Sequence, residues 1–238
     1  MPGLPWLDKA DIRFPDISRT LAAPAGLLAA GGDLRPERLL EAYRQGIFPW
    51  YEEGQPILWW SPDPRTLLFT ERLHISRSLR KLMRRESFEV KTDTAFGEVL
   101  DGCAQLGPKR PGTWITPAMK AAYLRMFELG WAHSVEVWQE EELVGGLYGL
   151  AIGHMFFGES MFSRRPSASK IALVNLCAIL EPLGVNVIDC QVGNDYLHSM
   201  GAEDVPREAF RHLLQQHCQT PCDAPPPWPA PGVHAITY

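Results

Sequence analysis

Apolar positions along the chain fall into helix-periodic stretches and alternating ones. Leu39, Leu40 and Tyr43 recur at helical spacing behind Pro36, whose fixed φ suits a first turn, and Gly46 can end that helix. Leu58-Trp59-Trp60-Ser61-Pro62-Asp63-Pro64-Arg65 reads as an extended segment running into a turn, a boundary between a small module (1–62) and a larger one (63–218). A second helix starts at Ser76, a good N-cap. Along it Arg77, Arg80, Lys81, Arg84 and Arg85 occupy an arc of ~140°, opposite Leu79, Leu82 and Met83. Thr116-Pro117 opens a third helix (Met119, Ala122, Tyr123, Met126), ended by Gly130.

Alternation takes over at residues 133–138, which predict a strand followed by a polar turn at 139–142. Residues 143–157 predict one or two strands broken by glycines, with Gly158-Glu159 directly after the hairpin. An apolar helix over 168–183 stops at Gly184, a β-rich strand covers 185–190, and 206–217 form a last amphipathic helix. Six prolines among residues 219–238 predict an extended tail with neither helix nor strand. Mixed elements with a central hairpin make the class α+β with a mixed, mainly antiparallel sheet. No internal repeat or Gly/Ser linker separates the modules, so they are expected to pack tightly.

At 238 residues, 45% hydrophobic and 21% charged, the chain can bury a core and is too apolar to be disordered. No stretch approaches the ~18 apolar residues of a membrane span, and the first eight residues lack the features of a signal peptide. Cys103, Cys177, Cys190, Cys218 and Cys222 are odd in number and have no framework spacing, which fits reduced thiols. The expectation is a soluble cytoplasmic protein, monomeric by default. Net charge is −5, yet residues 72–91 hold seven basic side chains against Glu86 and Glu89. That local reversal argues for one focused polyanion site and against general coating by nucleic acid.

Three places carry candidate chemistry. The basic helix face (Arg77, Arg80, Lys81, Arg84, Arg85) suits a phosphate backbone, although a solvated face or a surface for acidic lipid has the same pattern. Glu159 stands among Phe156, Phe157, Met161 and Phe162, so its carboxylate would be partly desolvated and seek a cation, either an ammonium or Arg164 or Arg165. In Ile188-Asp189-Cys190-Gln191, alternation puts Asp189 and Gln191 ~7 Å apart on one strand face, able to hold a small polar substrate. A buried Asp that satisfies backbone amides is the commoner outcome; nearby Asn194 and Glu159 favour a site. Ser160 lacks the G-x-S-x-G setting of a hydrolase nucleophile. Gly145-Gly146-Leu147-Tyr148-Gly149 is not followed by a helix, and there is no P-loop. The histidines lack metal-ligand spacing, and His217, Cys218 and Cys222 alone are weak evidence for zinc, so neither metal nor cofactor is expected.

Longer motifs point to a family. Gly26-Leu27-Leu28-Ala29, Gly31-Gly32-Asp33-Leu34, Gly46-Ile47-Phe48-Pro49-Trp50, Trp59-Trp60-Ser61-Pro62 and Thr113-Trp114-Ile115-Thr116 occur in that order. They are followed by Ala132-His133-Ser134-Val135-Glu136, Gly158-Glu159-Ser160-Met161-Phe162-Ser163, Ala168-Ser169-Lys170 and Ile188-Asp189-Cys190-Gln191. Together, over residues 10 to 215, they resemble the leucyl/phenylalanyl-tRNA–protein transferases. The resemblance implies a small N-terminal domain joined to a GNAT-like acyltransferase domain. It also implies transfer of leucine, phenylalanine or, less readily, methionine from aminoacyl-tRNA to proteins with N-terminal Arg or Lys, marking them for degradation. Arg35 departs from the family's usual Ser or Thr at a helix N-cap, and Tyr196 replaces a frequent histidine.

Under that resemblance the aminoacyl ester arrives activated, so neither ATP nor metal is required. The basic helix would hold the acceptor end of the tRNA. Trp50, Trp114, Tyr123, Leu147, Phe156, Met161 and Ile188 would line a pocket for the transferred side chain, with Asn194 beside it. A methylene mismatch in such a pocket costs only ~1–3 kcal/mol, so some tolerance is expected. Glu159 would bind the cationic end of the acceptor, and Gln191, polarised by Asp189, would position the amine. Two alternatives share parts of the pattern. An acyl-CoA N-acyltransferase of the GNAT type should show a Gly/Arg-rich pyrophosphate loop, which is missing here; a non-catalytic RNA-binding protein would leave Glu159, Asp189 and Gln191 without purpose.

Overall fold

The computed structural model describes residues 3–105, 113–218 and 224–234. The N-terminal segment builds a four-stranded sheet from β1 (Trp6–Leu7), β2 (Leu27–Gly31), β3 (Phe48–Pro49) and β4 (Leu58–Trp60), in the order β1-β2-β4-β3. Helix α1 (Pro36–Arg44) connects β2 to β3; it starts on Pro36 and is followed by Gly46 at φ 73°, where the chain turns back. Arg35 provides no side-chain cap for α1.

The remaining strands form one eight-stranded sheet in the order β11-β5-β10-β9-β8-β7-β6-β12. They are β5 (Arg65–Phe69), β6 (Glu89–Thr92), β7 (Ala132–Gln139), β8 (Glu142–Ile152), β9 (Met155–Ser163), β10 (Val187–Gln191), β11 (Glu203–Val205) and β12 (Gly232–His234). All neighbours run antiparallel except β9 and β10. Strand alternation sends Val135, Leu147, Phe156 and Ile188 to one face and Ala132, Tyr148, Phe157 and Val187 to the other. The first face is covered by α2 (Arg77–Arg85) and α5 (Ala168–Leu180). The second is covered by α1, α3 (Phe96–Ala104), α4 (Pro117–Glu128) and α7 (Arg207–His217). A short α6 (Asp195–Ser199) follows β10. Among the described residues, no helix is long and apolar enough to cross a membrane.

Three sequence expectations change. The glycines of β8 do not break it: a Cβ at Gly145 would lie 2.4 Å from the Ala168 Cβ, and one at Gly149 2.2 Å from the Phe157 carbonyl oxygen. They permit close approach inside a continuous hairpin, so Glu159 lies within β9 and not after it. The tail also contains a strand, β12, which pairs with β6; Pro231 is the last proline, so residues 232–234 keep their amide donors. Finally, α3 and α6 are helices that the sequence pattern does not predict. Ala95 gives α3 no side-chain cap, and Gly97 and Gly102 interrupt its apolar signal. The remaining tail cysteine, Cys222, lies outside the described residues.

One buried ion pair ties the two sheets together. Arg65 on β5 donates from Nε (2.8 Å) and Nη2 (2.7 Å) to the two carboxylate oxygens of Asp189 on β10, and both side chains are 0% exposed. Its Nη1 donates to the Gly46 carbonyl at the end of α1, and the guanidinium lies between the rings of Phe48 and Phe210. Removing one partner strands a buried charge, at a cost of about 3–5 kcal/mol. Arg65→Met is therefore expected to lower unfolding free energy in urea by about that amount, with Arg65→Met/Asp189→Leu recovering most of it. Equal destabilisation by both would show that the charge is not the determinant.

Candidate active site

The site lies where two parallel strands part. β9 and β10 pair over Met155–Phe157 and Val187–Asp189, and then each carries a bulge. On β9 the extra residue is Glu159, between Gly158 opposite Gly149 and Ser160 opposite Tyr148. On β10 it is Cys190, between Asp189 opposite Leu67 and Gln191 opposite Thr66. A bulge re-aims side chains and ends pairing, and here two of them face each other. A cavity of about 540 Å³ opens between the strands, roofed by α5 and closed at one side by Phe48, Pro49 and Trp50.

Trp50, Trp114, Leu147, Phe156, Met161, Ile188 and Asn194 all line this cavity, together with Leu173 and Leu176 of α5. Asn194 reaches it while its Oδ1 accepts from the Leu197 amide to cap α6. Tyr123 does not line it; it is buried behind Glu159 and donates to Oε2 at 2.6 Å. The walls are thus apolar, and burial pushes the Cys190 thiol up, keeping it neutral. Within the polar lining, Gln191 bonds to Glu159 beside Ser160, while Ser169 bonds to Ser163 and lies 3.1 Å from the Tyr196 hydroxyl.

The expected pairing of Asp189 with the Gln191 amide takes another form. Because Cys190 bulges, Asp189 and Gln191 do not share a face. Asp189 stays on the Arg65 side, away from the cavity, and Oδ1 accepts from the Gln191 backbone amide at 2.9 Å. That bond holds Gln191 at φ 64°, an unfavourable region for a non-glycine residue. The Gln191 side chain turns to the cavity, where Nε2 donates to Glu159 Oε1 at 2.8 Å. Asp189 therefore positions Gln191 through the backbone.

Glu159 sits in a triangle of short bonds. Tyr43 Oη donates to Oε1 (2.7 Å), Tyr123 Oη to Oε2 (2.6 Å), and the two phenols lie 2.6 Å apart. Burial keeps both phenols protonated, their pKa values raised well above 10. Three short O···O contacts need three protons, and two phenols supply only two. With Glu159 ionised, both phenols donate to it and the contact between them has no proton. With Glu159 protonated, the ring closes by reversing one bond: Oε2 donates to Tyr123, Tyr123 to Tyr43 and Tyr43 to Oε1. Burial also raises the Glu159 pKa from 4.5 to about 7, with the two tyrosine bonds pulling the other way. Tyr43 reads as a core residue of α1 in the sequence, with no signal of this role. Arg65 does carry a signal, a cation at the head of the apolar run Thr66-Leu67-Leu68-Phe69, and such a cation demands a buried carboxylate.

The five cations of α2 are all exposed, and none has an ion-pair partner among the described residues. Ser76 Oγ accepts from the Leu79 amide to start the helix, and Leu79 and Met83 anchor it to the core.

An apolar slot with a polar head suits an acyl group whose side chain is buried and whose reacting carbonyl stays near hydrogen-bonding groups, which is the form of a transferase site. Comparisons with known proteins agree. The family model "Leucyl/phenylalanyl-tRNA protein transferase" matches residues 67–215, and "Leucyl/phenylalanyl-tRNA protein transferase N-terminal domain" matches residues 32–63. A leucyl/phenylalanyl-tRNA–protein transferase from Stutzerimonas stutzeri (strain A1501) is 57% identical, covering 93% of this chain and 98% of the relative. One from Saccharophagus degradans (strain 2-40) is 52% identical, covering 92% and 90%. A remote likeness, TM-score 0.39 and 12% identity over 68% of this chain and 52% of that one, links it to the structure of L-PGS from Bacillus licheniformis. The chain belongs to the leucyl/phenylalanyl-tRNA–protein transferase family, and it is a transferase.

Because folding raises the Glu159 pKa, unfolding releases a proton between pH 4.5 and about 7, and stability falls as pH rises through that window. Glu159→Gln supplies a permanent N–H to the ring. It is expected to be more stable than wild type at pH 8 by on the order of 2 kcal/mol and nearly equal at pH 4.5, by urea unfolding. A variant less stable than wild type at both pH values would contradict the protonated ring.

Proposed function

We propose that this protein moves leucine, phenylalanine and, less readily, methionine from aminoacyl-tRNA to the α-amine of proteins beginning with Arg or Lys, in the cytoplasm and as a monomer, marking the products for degradation. The division into modules 1–62 and 63–218 and a tail 219–238 belongs to the same reading. The first module contributes Phe48, Pro49 and Trp50 to the slot, and the second contributes the rest.

The observation that supports this most directly is the commitment of Gln191. Its Nε2 is held by Glu159, which leaves the carbonyl Oε1 free to accept from an incoming amine beside the apolar slot. An amide has essentially no proton affinity at neutral pH, so Gln191 orients the amine and does not deprotonate it. Glu159 is the proton acceptor in this reading, because a carboxyl with a pKa about 7 is poised for transfer at neutral pH. Its ionised form also provides the countercharge for the cationic acceptor end. The amine nitrogen attacks the ester carbonyl, the bond to the ribose oxygen breaks, and the proton ends on that oxygen. The transferred side chain lies among Trp114, Leu147, Phe156, Met161, Leu173 and Ile188, selected by shape and desolvation. Arg77, Arg80, Lys81, Arg84 and Arg85 hold the tRNA backbone.

Radiolabelled Leu-tRNA or Phe-tRNA incubated with an Arg-initiated peptide, without acetyl-CoA, should yield labelled peptide. A requirement for acyl-CoA would favour the acyl-CoA enzyme, and tRNA binding without transfer would favour a non-catalytic RNA-binding protein. Gln191→Ala should lower kcat/KM by about 10–100-fold. Neutralising Arg80 and Arg84 should weaken tRNA binding and make the log–log salt dependence shallower, by about one unit of slope for each phosphate no longer neutralised. An unchanged slope would remove α2 from the tRNA path.

A further inference from the structure

The tail is not needed by any step above, yet it is fastened across the sheet at three points. Pro225 packs on Gly130, where an added Cβ would lie 3.1 Å from its Cγ. β12 pairs with β6, and His234 Nε2 lies 2.7 Å from Thr92 Oγ1. Between these anchors Trp228 turns inward and packs against the core on the α5 face of the sheet.

Trp228 lands on two rings. It stacks on His133 of β7 at 4.0 Å between centroids and 12° between planes, and on Phe156 of β9 at 5.8 Å and 22°. His133 is a fixed shelf: its Nδ1 lies 2.8 Å from Asp93 Oδ2, while Asp93 Oδ1 accepts from the Ser134 amide. The Phe156 ring leans over Gly149, the residue paired with His133, where a Cβ would come within 2.5 Å of it. Phe156 is fully buried and is also a wall of the apolar slot, whereas Trp228 is not. The ring that the aminoacyl side chain meets is thus backed by the indole.

We propose that Trp228 is a specificity-determining positioning residue: by backing Phe156 it fixes the depth of the aminoacyl slot and so the balance between leucine and phenylalanine. The inference rests on the reading of the slot given above. With the indole removed, Phe156 can retreat into the vacated space, the slot deepens, and the larger donor gains. Packed interiors leave so little slack that even a methylene-sized change in a pocket alters discrimination.

The test is competition between Leu-tRNA and Phe-tRNA for one Arg-initiated peptide, with wild type, Trp228→Leu and Trp228→Phe. The product ratio reports relative kcat/KM within one sample, so it does not depend on how much of a variant is folded. Trp228→Leu is expected to raise the Phe:Leu ratio by about threefold or more. Trp228→Phe, which keeps a ring against Phe156, should stay within about twofold of wild type. A ratio unchanged in Trp228→Leu, or shifted towards leucine, overturns the proposal, as does an equal fall in transfer from both donors. If wild type transfers neither amino acid, the reading of the slot fails instead.

Discussion

A guanidinium and a carboxylate sealed from water cost several kcal/mol each to desolvate, and they persist only where geometry and further hydrogen bonds offset that cost. Arg65 and Asp189 meet the condition: two short bonds join them, a third reaches the Gly46 carbonyl, and a fourth runs from the Gln191 amide to Asp189. Of these, the last shapes the site. It holds the β10 bulge and turns the side chain of Gln191 towards Glu159. The pair thus touches no substrate in the proposed reaction, yet it fixes the group that does, and it joins the small sheet to the large one in the same contact.

Around that anchor the site separates two tasks. Two bulges on adjacent parallel strands open an apolar slot, and the same two bulges present Glu159 and Gln191 at its head. In the proposed function the slot discriminates through shape and desolvation, which favour apolar side chains over charged ones without sharp resolution among similar sizes. In the proposed reaction the head works through a carboxyl whose pKa burial raises to about 7 against the opposing pull of its hydrogen bonds. Electrostatic capture of the nucleic acid, in the same proposed function, falls to α2, on the surface, where five exposed cations sit in an otherwise acidic chain.

Legibility in the sequence follows locality. Helices with a Pro or Ser start and a Gly stop, such as α1, α2 and α4, are readable because their signals lie within a few residues. Most of the slot's lining is also readable, from Trp50 to Ile188. Three features are not. Bulges at Glu159 and Cys190 depend on cross-strand register, so simple alternation wrongly places Asp189 and Gln191 on one face. Tyr43 and Tyr123 meet Glu159 from helices far apart in sequence, and periodicity marks both as core. The β8 glycines look like breakers because the Ala168 and Phe157 atoms that demand them belong to other segments.

The proposed reaction has Asp189 acting through Gln191. A double-mutant cycle on kcat/KM for transfer from Phe-tRNA, with Asp189→Asn and Gln191→Ala, isolates that link. If Asp189 only positions Gln191, the asparagine change will slow transfer in the wild-type background and do almost nothing further once Gln191 is alanine. Strictly additive losses would mean that Asp189 contributes to the reaction by a separate route, and that its hold on the Gln191 amide is not what organises the site.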